Sequence, residues 1–276
     1  MNENRRIALI SGAILLALAT GFYFFFWPLT PPAAPVQAAV QAPAPESPAG
    51  SEVGPTAEPL PAHFPVPAPA PAAEAEPLPP LGESDGPLAA ALAGFANAGD
   101  LAKALVSEQL IRRLVVTVDN LTRERLAMND RAFKRVPGEL IVRSRDGTYS
   151  LNPSNEARYV PLVTLAKTVG AENAAQLYLR FYPLFDQAYR ELGTPGRHFN
   201  DRLVQVIDHL LATPVVDAPI ALVQPKVFYE FADPALEARS AGQKMLIRMG
   251  SVNQAQVKAW LQTFRKAVTG AGSPVN

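Results

Sequence analysis

The chain has 276 residues, 48% of them apolar, with 28 prolines, no cysteine and a formal net charge of zero. The lack of cysteine excludes disulfides, thiolate metal ligands and cysteine nucleophiles. Both the proline and the charge are unevenly spread: 18 of the prolines stand from Pro28 to Pro87, which leaves ~190 residues of ordinary composition, enough to bury roughly 70% of their unfolded surface.

Residues Ile7 to Trp27 carry no charged side chain. At ~1.5 Å rise per residue a helix over this stretch spans a ~30 Å hydrocarbon core, which predicts a transmembrane helix at 7–27 after a short cytoplasmic N-terminus at 1–6. Arg5 and Arg6 precede it and no Lys or Arg follows before Lys103, so the positive-inside bias exports everything after Trp27. The aromatic run Phe22 to Trp27 suits the outer headgroup layer, and Pro28 ends the helix. The competing reading is a cleavable secretory signal, with Val36-Gln37-Ala38 as a small-residue cleavage site. The length of the apolar run and the distance to that site favour the anchor.

Residues 28–80 alternate proline and alanine, with Glu46, Glu52, Glu58, Glu74 and Glu76 as the charges. Such a tract is expected to be a disordered, semi-rigid, anionic tether. At ~3.1 Å per residue its ~50 residues reach about 150 Å when fully extended in polyproline II geometry.

From residue 81 to 269 the pattern turns helical, and 270–276 reads as a disordered tail. A short helix follows Asp85-Gly86-Pro87 with Leu88, Leu92 and Phe95 on its apolar side, and a second starts at Asp100. Ser107 is placed to cap a longer helix in which Leu110, Ile111, Leu114, Val115, Val118 and Leu121 recur at three and four. Leu140 to Val142 and Thr148 to Leu151 flank Asp146-Gly147, a strong two-residue turn, which predicts a β-hairpin. A third strand is expected at Lys226 to Phe231, completing a small antiparallel sheet. Asn152-Pro153 opens one helix and Pro161 another that ends at Gly170. A long helix from Glu172 to Leu192 contains Pro183 and stops at Gly193. Asn200 caps a helix that stops at Thr213-Pro214. Asp233-Pro234 starts the next, Gly250 closes the one after it, and Ser251 caps the last, which carries Val257, Trp260, Leu261, Phe264 and Val268. The expected fold is therefore mainly α: a helical globular domain with a small antiparallel β-sheet, a hairpin plus one strand, preceded by one transmembrane helix and a disordered Pro/Ala-rich linker.

Four stretches carry a family resemblance: Leu110 to Leu121 (LIRRLVVTVDNL), Tyr182 to Leu192 (YPLFDQAYREL), His198 to Pro214 (HFNDRLVQVIDHLLATP) and Tyr229 to Gly250 (YEFADPALEARSAGQKMLIRMG). They resemble domain-of-unknown-function family 3014, found in envelope-associated proteins of Gram-negative bacteria. The likeness runs from about Leu81 to Val268. It implies a tethered envelope domain and carries over no catalytic residue, ligand or activity.

Two groups of residues are candidates for function. Arg123, Arg125, Arg131, Lys134, Arg135, Arg143 and Arg145 outnumber the neighbouring acids Glu124, Asp130, Glu139 and Asp146. A basic surface of this kind suits anionic lipid headgroups, an anionic envelope polymer or the acidic tether, and the plainer reading is a solvated loop and hairpin. The second group is His198, Asp201, Asp208 and His209. Asp201 and Asp208 are seven apart and share a helix face, with His209 about a hundred degrees round from Asp208, and no HExxH-type spacing supports a metal. The plain alternative has Asn200 capping, Asp201 favouring the helix N-terminus and the rest bonding locally. Arg112 and Arg113 with Asp119, and Lys244 with Arg248, are charges on otherwise apolar helices; such charges suit the lining of a pocket, and the plainer reading is that they form partly buried ion pairs that fix helix packing.

No Gly-rich phosphate loop, GxSxG elbow or EF-hand loop is present, so no cofactor or metal is assigned. The functional expectation is a single-pass inner-membrane protein with a noncatalytic interaction module in the periplasm. Its partners would be the membrane, through 7–27, and an envelope protein or anionic envelope polymer, with nucleic acid disfavoured by the topology. The alternative is a periplasmic hydrolase acting on an envelope polymer through carboxylates such as Asp201 or Asp208.

Overall fold

The structure is a computed structural model that describes residues 61–67, 77–95, 99, 105–125, 132 and 139–270. The expected span at 7–27 and the expected helix from Asp100 lie outside the described residues. Among the described residues no helix is long and apolar enough to cross a membrane.

Helices form where the apolar spacing asks for them. Following a 3-10 turn at Leu81–Glu83 come α1 (Asp85–Ala93), α2 (Leu110–Asn120), α3 (Asn155–Val169), α4 (Ala171–Arg190), α5 (Phe199–Leu211), α6 (Pro234–Glu237), α7 (Ala241–Arg248) and α8 (Ser251–Val268). The longest, α4, packs against α8, α2, α3 and α5, and α8 also meets α3, α5 and α7. At their junction Tyr178, Phe185, Tyr189, Phe199, Trp260 and Phe264 are buried together. Phe185 and Phe199 stack with centroids 5.8 Å apart, and Trp260 stacks on Phe264 at 5.0 Å. Such pairs add about 0.5–1.5 kcal/mol each beyond the area they bury.

Strands β1 (Val142–Arg145), β2 (Thr148–Leu151), β3 (Ala221–Val223) and β4 (Glu230–Phe231) form one antiparallel sheet in the order β1-β2-β3-β4. The hairpin turns at Asp146 and Gly147, both with positive φ (51° and 75°), the backbone that a two-residue type I′ turn requires and that glycine adopts without strain. The sheet has its own apolar cluster, Ile220, Leu222, Phe231 and Ile247. Ile247 belongs to α7, so this cluster is also the seam to the helices.

The third strand differs from the expected one. Ala221–Val223 pairs with β2, and only Glu230–Phe231 of the predicted Lys226 to Phe231 run is strand. Pro225 stands just before that run and offers no N–H to a ladder. Gln224 Nε2 donates to Val227 O at 3.2 Å, and Val227 is exposed, so the first part of the run is spent on a bend.

Several helix starts also differ. Pro161 lies inside α3 rather than opening a helix. It sits on the exposed face, where ring and lost donor meet water instead of a packed neighbour. Ser107 does not cap α2: its N-cap is Gln109, with φ 52°. The first amides are held instead by Asp85, whose carboxylate accepts from Gln109 N at 2.7 Å and Leu110 N at 2.8 Å. Ser251 is the first residue of α8 rather than its cap, which is Gly250. Asp233 does cap α6, accepting from Ala235 N, and Ser240 caps α7, accepting from Gln243 N. At the start of α7, Ala241 N and Gly242 N donate to Arg123 O and Leu121 O, at 2.8 and 2.9 Å. That approach needs glycine, because a Cβ on Gly242 would lie 2.9 Å from the main-chain oxygen of Leu121.

The ion pairing expected of Lys244 is present, with Glu237 of α6 as its partner. Lys244, 1% exposed, donates to Glu237 Oε1 at 2.7 Å and Glu237 O at 2.9 Å. The buried Arg248 guanidinium lies 4.6 Å over the Phe231 ring, and burial pushes its pKa down to about 10.

Candidate functional groove

Helix α5 presents the candidate residues, and its first turn is pinned from three sides. His198 precedes it with extended backbone, φ −100° and ψ 134°. Asp186 of α4 accepts from Phe199 N at 2.9 Å and from the Tyr182 hydroxyl at 3.2 Å, with Arg190 Nη2 at 3.4 Å and His198 Nδ1 at 3.7 Å. A carboxylate on another helix thus satisfies an amide that no residue of α5 can reach. Burial raises the pKa values of Tyr178 and Tyr182, helped at Tyr178 by Tyr182 and then Asp186 and at Tyr182 by Asp186, so both hydroxyls stay protonated donors.

Asn200 is not the cap that the sequence suggests. It is fully buried, and its Oδ1 accepts from the Tyr178 hydroxyl at 3.0 Å. Its Nδ2 donates to Phe64 O at 2.8 Å and Val268 O at 3.2 Å. Asp201 beside it accepts from His63 N at 3.0 Å and Phe64 N at 2.6 Å. Two successive residues of α5 therefore grip the main chain of a segment 136 to 138 positions earlier, one that composition assigns to the tether. The chain bends at His63 and Phe64, and the bend aims both amides at one carboxylate. The Phe64 side chain packs on the main core.

Two turns along, Asp208 binds Arg265 of α8 through both oxygens, at 2.6 and 2.9 Å. This bond raises the Arg265 pKa above its ordinary value. The same guanidinium lies 5.5 Å from the Phe64 ring centroid. Arg202, between the two aspartates, bonds Asp119 Oδ1, Asp119 O and Thr122 Oγ1, each at 2.7 Å, and so locks α5 to the end of α2.

These side chains border an open groove of about 710 Å³, lined among others by Phe64, Arg123, Arg197, His198, Asp201 and Asp208. The groove brings together three members of the expected His/Asp cluster and one of the basic group. His209 faces elsewhere, its Nε2 2.7 Å from Ser240 Oγ at the start of α7. Arg125 is an exposed loop residue, and Arg143 and Arg145 are exposed on strand β1. Arg131, Lys134 and Arg135 lie outside the described residues. Arg197 and the His63-Phe64 pair are groove residues that motif reasoning passed over, as it did Asp186, which holds the first turn of α5. One signal was present: between Trp27 and Phe95, Phe64 is the only Phe, Tyr or Trp.

Among the described residues no three His, Cys, Asp or Glu side chains form a group that could hold a metal ion. Fold and groove together define a mainly helical domain with a small four-stranded antiparallel sheet, closed on one side by a segment of its own chain. Residues 110–265 match the family model described as Protein of unknown function (DUF3014), and the chain belongs to that family. No curated protein and no solved structure matches it.

Proposed function

We propose that this chain is a single-pass, inner-membrane-anchored protein of the bacterial envelope, and that its helical domain is a noncatalytic interaction or scaffolding module in the periplasm. The anchor rests on sequence: the uncharged stretch 7–27, Arg5 and Arg6 before it, and the long cation-free tract after it. The observation that carries the noncatalytic reading is the engagement of the two aspartates that share one face of α5. Both Asp201 oxygens accept main-chain amides, and both Asp208 oxygens bind Arg265. A hydrolase needs a carboxyl group that carries a proton or a nucleophilic oxygen to the substrate, and charge-assisted bonds of this kind hold both oxygens in place. Arg123 and Arg197, exposed at the groove, suit an anionic partner.

Two measurements test this reading. Alkaline extraction of cell membranes should leave the full-length chain in the pellet, with its C-terminal part digested by protease added to spheroplasts. A soluble full-length chain would overturn the anchor. A photo-crosslinking side chain at Arg197 should give one discrete adduct in intact cells. Loss of all adducts, with control envelope proteins still captured, would overturn the module.

A further inference from the structure

Residues 61–66 alternate in exposure on either side of the bend at His63 and Phe64, as a docked peptide does. Ala62, Phe64 and Val66 are half-buried, whereas Pro61, His63 and Pro65 are exposed. Asp201 and Asn200 take hold of this segment through its main chain alone: two N–H groups to the carboxylate and one carbonyl to the amide. Any peptide bent in the same way offers those groups. What selects is the ring of Phe64, seated on the core and beneath Arg265, and the proline after it, which presets extended backbone at low entropic cost.

The same geometry gives the two aspartates one joint task. Asp201 binds the backbone of the segment, and Asp208 fixes the guanidinium that covers its ring. On the far side Gly270, with φ 62°, lets the chain pass Pro67, since a Cβ there would already lie 3.3 Å from Pro67 Cγ.

We infer that Pro61–Pro67 is an intramolecular ligand, and that the seat made by Asn200, Asp201 and Arg265 is a receptor site for a segment bent at an aromatic residue that is followed by proline. The site is filled in cis, so a competing peptide of the same chemistry binds only by displacing the strap, which also widens the groove. This rests on the reading of the domain as a binding module and names the ligand class of one of its sites.

The test uses the full chain in detergent and a fluorescent synthetic peptide, PLPAHFPVPA, the sequence of residues 59–68. A tethered segment acts at an effective concentration of about 1 mM. The Phe64→Ala chain, whose own strap lacks the ring, should therefore bind the peptide at least ~10-fold more tightly than the unaltered chain. Adding Asp201→Asn should abolish that binding, and a peptide with alanine for phenylalanine should not bind. Hydrogen exchange supplies a second readout: in Asp201→Asn alone, the amides of His63 and Phe64 should exchange at least ~10-fold faster with those of α4 unchanged. A Phe64→Ala chain that melts normally and binds no peptide would overturn the inference, as would equal exchange at His63 and Phe64 with and without Asp201→Asn. Either result with the cross-linked adduct at Arg197 intact would sink this inference while leaving the module reading standing.

Discussion

The helical body and the small sheet are held together by different means. The helices run to 20 residues and share one aromatic centre, so burial over long surfaces carries them. The strands are two to four residues long and enclose only four fully buried apolar side chains, one lent by α7. A sheet this small is not stable alone, and here a few polar ties bind it. Asn155 of α3 bonds both main-chain groups of Ile141, and Glu237 accepts from Phe231 N at 2.9 Å while holding Lys244. One region should therefore fail as a whole and the other by losing single bonds.

Phe199→Ala strikes the first region. Phe199 is fully buried, touching Tyr178, Phe185 and Tyr189, so about 3–5 kcal/mol of stability should be lost, read by denaturant unfolding. A loss below ~1 kcal/mol would show that the helices do not depend on this centre.

Glu237→Ala strikes the second. It takes the carboxylate from the Lys244 ammonium, which is 1% exposed and keeps its bond to the main-chain carbonyl of residue 237, and it removes the acceptor of Phe231 N. Loss of one partner of a buried pair costs about 3–5 kcal/mol, and the 25% exposure of the Glu237 side chain lowers the expectation to about 2 kcal/mol. The distinguishing readout is local: the amides of Leu222 and Phe231 should exchange faster than those of α4. Uniform acceleration would mean that sheet and helices unfold as one unit.

The smallest effect tests the α5–α7 contact near that boundary. Burial first, then Arg202 and Arg239, lower the His209 pKa below 6.5. The unfolded chain takes up this proton before the folded one does. The stabilising contribution is thus complete above about pH 6.5 and is lost as the pH falls from there toward the folded value. Between about pH 7.5 and about pH 5.5 the melting temperature should drop, and His209→Gln should flatten that drop. Identical profiles for the two proteins would remove His209 from the account.

The sequence was most legible where physics is local. The stripes from Leu110 to Val118 and from Val257 to Val268 read directly as buried helix faces, and Asp146-Gly147 as a turn. Legibility failed where a group's partner is distant in the chain. Ser107 looked like the cap of α2, but Asp85 does that work from 24 positions earlier. Asn200 and Asp201 looked like helix-start residues and turned out to bind a segment upstream of the domain. Proline was misread at Pro161 because an exposed ring within a helix costs less than a buried one, and burial is not visible in the spacing. In the tether, composition averaged over many residues hid the one phenylalanine that makes Pro61–Pro67 unlike its surroundings.

The hold on Pro61–Pro67 also changes where traction enters the fold. In the proposed anchored chain, residues 28–60 are the sequence between the bilayer and the hold at His63 and Phe64. Those ~33 residues span about 100 Å at full stretch, against about 150 Å for the whole tract. Strain from a drifting partner is then delivered through Asp201 and Asn200 to the aromatic centre, and it bypasses Leu81 and the first helix.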